Sequence, residues 1–355
     1  MRMIAGDLLR AEHVLVRVHT DDGLVGQAEA PARPMFYGES LASIVAAIND
    51  WFAPVIVGKD PFAVQSIRRH LDRVVANNTA KGAIDMALHD LRGKAVGLPV
   101  RMLLGGSAEP LRVTHMLGLG DPAAVADEAA DAQATYGASS FKVKVGHRED
   151  SDLDCVTRVR GAVGEDATIY VDANQAYEPE DAIRILARMR DVAAISWVEE
   201  PTPAADFLGR RRVANALPIP ILGDESCPTV GDVAREVVGG AARYISIKVA
   251  RTGFTASADI VALVTALGGR VLIGSQGDSG IGALCGLAFG SALPAAAALP
   301  AELSYFHRLS DDLLCTPPQI TGGYLHPGDA PGIGIEIDDD KLDFYRVDKE
   351  RCSVA

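Results

Sequence analysis

The sequence predicts an α/β protein built around a parallel (β/α) barrel of TIM type, and three observations predict it. From about residue 110 onward, short apolar segments alternate with alanine-rich helical ones. There are eight such segments, and their starts fall roughly 25–31 residues apart, the length of one strand, one helix and two turns. Most of them run into a charged or polar residue, as strands do where they open onto a barrel mouth. A doubly wound open sheet is the competing arrangement of the same alternation.

The chain begins in a different texture. Residues 11–30, "AEHVLVRVHTDDGLVGQAEA", read as two strands joined at Asp22-Gly23, a dipeptide favoured in tight hairpins. Helical patterns follow over 39–57, 62–76 and 79–96, the last closed by the breakers of "GKAVGLP". The barrel strands are then expected at "LRVTHML" (from 111), "SFKVKV" (140), "TIYVDA" (168), "AISWVEE" (194), "IPILGDE" (219), "YISIKVA" (244), "RVLIGSQ" (270) and "AELSYF" (301). Beyond them, "ITGGYLHPGDAPGIGIEID" reads as turn and strand returning to the N-terminal part.

Composition bounds the function. With 355 residues, 48% of them hydrophobic, the chain can bury a sizeable core. A net charge of −13 without any basic run argues against nucleic acid or an anionic membrane and leaves a small molecule as the expected partner. Cys155, Cys227, Cys285, Cys315 and Cys352 are scattered without CxxC spacing, which suggests neither a disulfide framework nor a zinc site and suits a reducing cytoplasm. The start has no signal-type apolar stretch, and "GSALPAAAALP" is too short and too broken by proline to cross a bilayer, so a cytoplasmic location is expected.

The strand ends form a column of charge: Lys142 and Lys144, Asp172, Glu199, Asp224, Lys248, then Ser275 to Asp278. Apolar residues precede four of them, namely Val143, Val171, Val198 and Ile247. If those face the helices, alternation turns Lys144, Asp172, Glu199 and Lys248 inward. The same alternation prefers Glu199 to Glu200, and the repeat spacing prefers Asp224 to Glu225. A single carboxylate after a strand often caps the next helix. Three on adjacent strands would repel one another unless a cation sat among them. Oxygen ligation without histidine or cysteine selects a hard ion, Mg²⁺ or Mn²⁺. Two ammonium groups on one strand face, partly buried, depress each other's pKa, so one is expected to be neutral near pH 7 and to serve as a base. Solvated edge-strand lysines are the ordinary explanation of "KVK", but a closed barrel has no edge. His115, His147 and Cys227 read as local structural residues.

"KVK" (142–144), "VDAN" (171–174), "VEEP" (198–201), "GDES" (223–226) and "IKVARTG" (247–253) resemble, in order and spacing, the enolase superfamily, and most of all its muconate lactonizing enzyme subgroup. The likeness extends to "AIDMALHDLRGK" (83–94) and "PGIGIEID" (331–338), hence to nearly the whole chain. It implies a modified, enolase-like barrel over 109–310, an N-terminal α+β capping domain over 1–108, and a segment 311–355 returning to the cap. Asp172, Glu199 and Asp224 match the metal ligands, Lys144 the catalytic lysine, Lys142 its electrostatic partner, and Lys248 the lysine of the opposite face. Asp278 matches an acidic position in the seventh-strand loop. The subgroup resembling mandelate racemase carries a histidine there, and "LIGSQGD" has none.

Substrate contacts are implied in two places. Phe36 and Tyr37 of "RPMFYGES" stand in the capping loop, and Glu302 of "AELSYF" resembles the "ELFGP" of muconate cycloisomerases, not the Asp-x-Asp of dipeptide epimerases. Two departures stand out: relatives carry an additional strand and loop before "AEHVLV", and many have a second glycine where Phe254 follows Gly253. The implied reaction is metal-dependent conversion of cis,cis-muconate, or a substituted muconate, to muconolactone through a metal-stabilised enolate protonated by lysine. That mechanism is general to the superfamily and is not deduced from these residues. N-acylamino acid racemisation, o-succinylbenzoate synthesis and a catalytically silent metal-binding barrel are the alternatives. Relatives of this kind are commonly homo-oligomers.

Overall fold

Seven parallel strands follow one another in chain order around the centre of the molecule: His115–Leu117, Ser140–Lys144, Thr168–Asp172, Val198–Glu199, Ile221–Gly223, Tyr244–Ile247 and Arg270–Ile273. They come from a computed structural model that describes residues 2–3, 6–7 and 10–348. The ring is closed by residues 301–302. Glu302 N donates to Ile273 O (2.7 Å) on the seventh strand, and on the first side Ala301 N donates to Arg112 O (2.8 Å) while Thr114 N donates to Ala301 O (2.7 Å).

Two expected strands differ. "AELSYF" contributes only that bridge, because Ser304 leaves the extended region (φ −115°, ψ 0°), its hydroxyl donates to Thr114 O (2.8 Å), and a 3₁₀ turn follows over Tyr305–Arg308. "LRVTHML" splits: His115–Leu117 stays in the barrel, whereas Leu111–Arg112 pairs antiparallel with Tyr324–Leu325, one arm of a hairpin with Ile320–Thr321. Gly322 and Gly323, at φ +59° and +82°, supply the turn that requires left-handed backbone.

Alternation sorts each barrel strand into two faces. Val143, Val171, Val198 and Ile247 join the large core shared with the surrounding helices. Tyr170, Trp197, Leu222 and Leu272, with Leu299, form a separate cluster inside the barrel, and the first three lie two residues before Asp172, Glu199 and Asp224. Tyr170 stacks on Trp197 at 4.5 Å between ring centroids. Apolar side chains therefore fill much of the barrel below, and its charged side chains gather at the C-terminal mouth, where barrel chemistry is done.

The N-terminal part covers the mouth. His13–His19 and Val25–Pro31 pair along their full length. The expected 39–57 helix appears as Leu41–Ala46, a π-helical turn Ala47–Phe52 and Ala53–Ile56. Pro54, lacking an N–H, sits where the regular ladder is interrupted. The second expected helix is shorter, Val64–Leu71, and the third is Asn78–Val96.

Asn78–Val96 packs against Val249–Ala266, the helix that follows Lys248. Gly253 breaks that helix at φ +60°, and Asp85 caps the restart by accepting from Phe254 N (2.6 Å) and Thr255 N (3.0 Å). A Cβ at Gly253 would lie 2.5 Å from Asp85 Oδ2, so glycine is needed there. The next position carries Phe254 without strain and packs its ring against His89 and Phe289. At the other end of the chain, Ile333 N donates to Asp90 Oδ1 (2.7 Å) and Gln27 Nε2 to Ile335 O (3.0 Å), so residues 333–335 lie on the N-terminal part.

Cys155, Cys227 and Cys285 are buried free thiols and Cys315 an exposed one; Cys352 lies outside the described residues. No helix among the described residues is long and apolar enough to cross a membrane.

Candidate active site

The strand register brings the charged column together. Lys144 stands opposite Asp172 and Asp172 opposite Glu199 on neighbouring strands. All three, with Asp224 and Lys248, are buried at the mouth. Lys142 Nζ lies 2.9 Å from Asp172 Oδ2, 2.8 Å from Glu199 Oε2 and 2.9 Å from Glu302 Oε1. Lys144 Nζ donates to Asp172 Oδ2 (2.6 Å) and Asn174 Oδ1 (2.7 Å). Across the mouth, Lys248 Nζ donates to Asp224 and to the Tyr37 hydroxyl (2.6 Å), and Arg251 Nη1 donates to Asp224 Oδ1 (2.9 Å). Lys142, Lys144, Asp172, Asp224 and Lys248 border one cavity, which Glu199 and Arg251 do not line.

These contacts speak against a neutral Lys142. Burial pulls the Lys142 ammonium toward neutrality, but Asp172, Glu199 and Glu302 outweigh it and hold its pKa well above the ordinary lysine value. Lys248 is raised for the same reason, by Asp224 and Tyr37 against burial. A neighbouring lysine and burial both favour the neutral amine, but the carboxylates beside each ammonium group act in the opposite direction. Those carboxylates respond in kind: burial pushes Asp224 up, and Lys248 and Arg251 more than reverse it. Glu199 is driven well above the carboxylate range by burial and by Asp172 and Glu302.

Glu199 is the anomaly of the row. It is fully buried, and neither carboxylate oxygen accepts a hydrogen bond; Lys142 approaches Oε2 without the geometry of one. A buried carboxylate left so is costly unless something else serves it, and a hard cation is the partner such oxygens suit. Among the described residues no three acidic, histidine or cysteine side chains converge tightly enough to cage an ion as they stand. Lys142 and Lys144 share Asp172 Oδ2, and Lys248 and Arg251 take the two oxygens of Asp224. In kind, the donor set of three carboxylates on neighbouring strands fits a divalent cation.

A second layer of charge sets the backbone of the row. Glu200, at φ +38°, turns away from the cavity and accepts from Asp224 N (2.7 Å) and Ser226 N (3.2 Å). Arg210, fully buried, bridges Glu200 (3.0 Å) and Glu236 (2.9 Å). The two neighbouring glutamates of "VEEP" thus serve opposite sides of the strand.

Phe36 and Tyr37 reach the cavity from the cap, and Glu302 lines its floor, accepting from Lys142 and from the Tyr170 hydroxyl (2.6 Å). Asp278 does not join them. The cavity is lined by Ser275, Gln276 and Gly277 of its loop, while Asp278 accepts from Gln276 N (3.2 Å) and lies near Glu29, which together with burial raises its pKa. It hydrogen-bonds neither lysine. The sequence reading missed Asn174, Arg251 and Arg33. Arg251 carried a signal: it stands three residues after Lys248 at the start of a helix, so both side chains reach Asp224.

Residues 1–105 match the family described as the mandelate racemase / muconate lactonizing enzyme N-terminal domain, and residues 124–341 match the enolase C-terminal domain-like family. The chain is similar to the "muconate lactonizing enzyme from Mucobacterium Smegmatis complexed with muconolactone", at 45% identity and TM-score 0.95 over 98% of this chain and 95% of that one. It also resembles a dipeptide epimerase from Enterococcus faecalis complexed with Mg and L-Leu-L-Tyr, at 29% identity and TM-score 0.88 over 94% of each chain. Chloromuconate cycloisomerase of Cupriavidus necator is 31% identical over 344 residues, 95% of this chain and 92% of that one. N-succinyl-L-Arg/Lys racemase of Bacillus cereus is 29% identical over 336 residues, 93% and 89% respectively. Cycloisomerase, epimerase and racemase relatives thus share both halves of the fold, and the chain belongs to the enolase superfamily, in its muconate lactonizing enzyme subgroup.

Proposed function

We propose that this isomerase-type enzyme is a divalent-metal-dependent cycloisomerase that converts cis,cis-muconate, or a substituted muconate, to muconolactone. The observation that carries the choice is the 45% identity, over nearly the full length, to a muconate lactonizing enzyme holding muconolactone, against about 30% to relatives of other activities. Glu302 and Ser304 at the barrel closure, in place of two aspartates, support it against a dipeptide carrying an ammonium group.

In the reaction one substrate carboxylate oxygen adds to the far double bond, negative charge moves to the other carboxylate, and the carbon beside that carboxylate takes up a proton. Asp172, Glu199 and Asp224 would hold the cation, Mg²⁺ or Mn²⁺, which when bound stabilises negative charge on a substrate carboxylate. Lys144, fixed by Asp172 and Asn174, is placed to deliver the proton from one face; Lys248, fixed by Tyr37 and Asp224, commands the other. Lys142 and Glu302 balance charge beneath the substrate. Phe36 and Tyr37 close the cavity from the cap and exclude water. Asp278 shapes the loop from behind.

Turnover in D₂O followed by nuclear magnetic resonance tests the reading. One deuterium at the carbon next to the free carboxylate of muconolactone is the expected product, and an unlabelled or absent lactone rejects it. One observation favours a second reading, N-acylamino acid racemisation: ammonium groups stand on both faces, as removal and return of a proton require. Solvent deuterium entering unconsumed chiral N-succinyl-lysine would select that reaction.

A further inference from the structure

Arg33 is the odd cation of the cavity. It follows the Val25–Pro31 strand, is only 5% exposed, and borders the cavity beside Tyr305 and Gly277. Lys142, Lys144 and Lys248 each rest on a carboxylate, whereas Arg33 forms no ion pair among the described residues. Its contacts are neutral: Nη1 donates to Ala32 O (2.7 Å), Nη2 to Gly277 O (2.6 Å), and Nη2 lies 3.5 Å from His13 Nε2. Among the described residues Nε has no partner. A guanidinium carries five N–H groups, and burying it without a counter-charge is unfavourable.

The group is held in place nonetheless. Glu29 holds His13 Nδ1 at 2.7 Å, which fixes the ring that stands against Arg33. Gly277, at φ +79°, lets the loop pass closely; a Cβ there would stand 2.4 Å from Nη2. That loop follows the seventh strand, and in a ring of eight the seventh lies across from the third, which carries Asp172. A substrate with one carboxylate at the acidic row therefore presents its far end toward Arg33.

We propose that Arg33 receives the second carboxylate of the substrate. The inference rests on the reading that the first carboxylate binds at Asp172, Glu199 and Asp224. Applied to muconate, it assigns to Arg33 the carboxylate whose oxygen forms the new C–O bond, oriented by charge-assisted hydrogen bonds.

Equilibrium binding of adipate and of hexanoate to the Mg²⁺-loaded enzyme tests it, since the two differ only in the second carboxylate. The native enzyme is expected to bind adipate on the order of 10- to 100-fold more tightly than hexanoate. Arg33→Gln should remove that preference by weakening adipate alone, and Arg33→Lys should keep part of it. If Arg33→Gln weakens both acids equally, or leaves the preference intact, the assignment is wrong. The cycloisomerase reading fails separately: an Arg33-dependent preference for adipate in an enzyme that leaves muconate unchanged would keep the Arg33 assignment and reject muconate itself.

Discussion

Lys144 and Lys248 differ in what holds them, and substitution should separate their roles. Lys144→Ala is expected to lower kcat by about 10²–10⁴-fold, the usual contribution of a positioned proton donor, with circular dichroism and Tm unchanged; near-native turnover would remove Lys144 from the mechanism. Glu199→Gln should weaken Mg²⁺ about tenfold or more in calorimetry, because it deletes a charge from the ligand set, while improving nothing for Lys142, which already has Asp172 and Glu302. These positions were legible in the sequence because they obey a local rule, the period of two along a strand. Arg33 was not, because its meaning depends on the cap docking onto the seventh-strand loop. Nor was the protonation of Lys142, which depends on carboxylates from three other parts of the chain.

At the scale of elements, the contact between Asn78–Val96 and the helix after Lys248 carries much of the site's geometry. Asp85→Ala leaves Phe254 N and Thr255 N without their acceptor and should cost about 2–4 kcal/mol, read as a lower denaturation midpoint. Gly253→Ala forces a left-handed backbone on a residue with a Cβ and drives it into Asp85; a loss of about 1–3 kcal/mol is expected. Arg210→Ala would strand Glu200 and Glu236 in the interior, with a loss of about 3–5 kcal/mol. Helix and strand texture predicted most elements, since amphipathic period and breakers are local. The barrel closure escaped it: "AELSYF" has strand-like residues, yet a single bridge suffices to join the seventh strand to the first, and Ser304 then turns the chain. The split of "LRVTHML" was equally hidden, because its first half is claimed by a hairpin more than two hundred residues later.

The whole molecule gathers its acidic chemistry at one end of the barrel and covers that end with its N-terminal part. Eight evenly spaced strand segments made this architecture readable, and the turn and strand texture of "ITGGYLHPGDAPGIGIEID" pointed to the return of residues 333–335 to the N-terminal part. A cation bound only by the folded chain must stabilise it, by about 2.7 kcal/mol at a free concentration one hundred times Kd. Tm should therefore rise with added Mg²⁺ and fall back with EDTA, and a Tm indifferent to both would deny the site. The most direct measurement is the ultraviolet absorbance of cis,cis-muconate mixed with the purified enzyme and Mg²⁺ or Mn²⁺, with and without EDTA. Metal-dependent loss of the conjugated diene signal is expected; a signal that persists with folded, metal-loaded enzyme would rule out muconate cycloisomerisation.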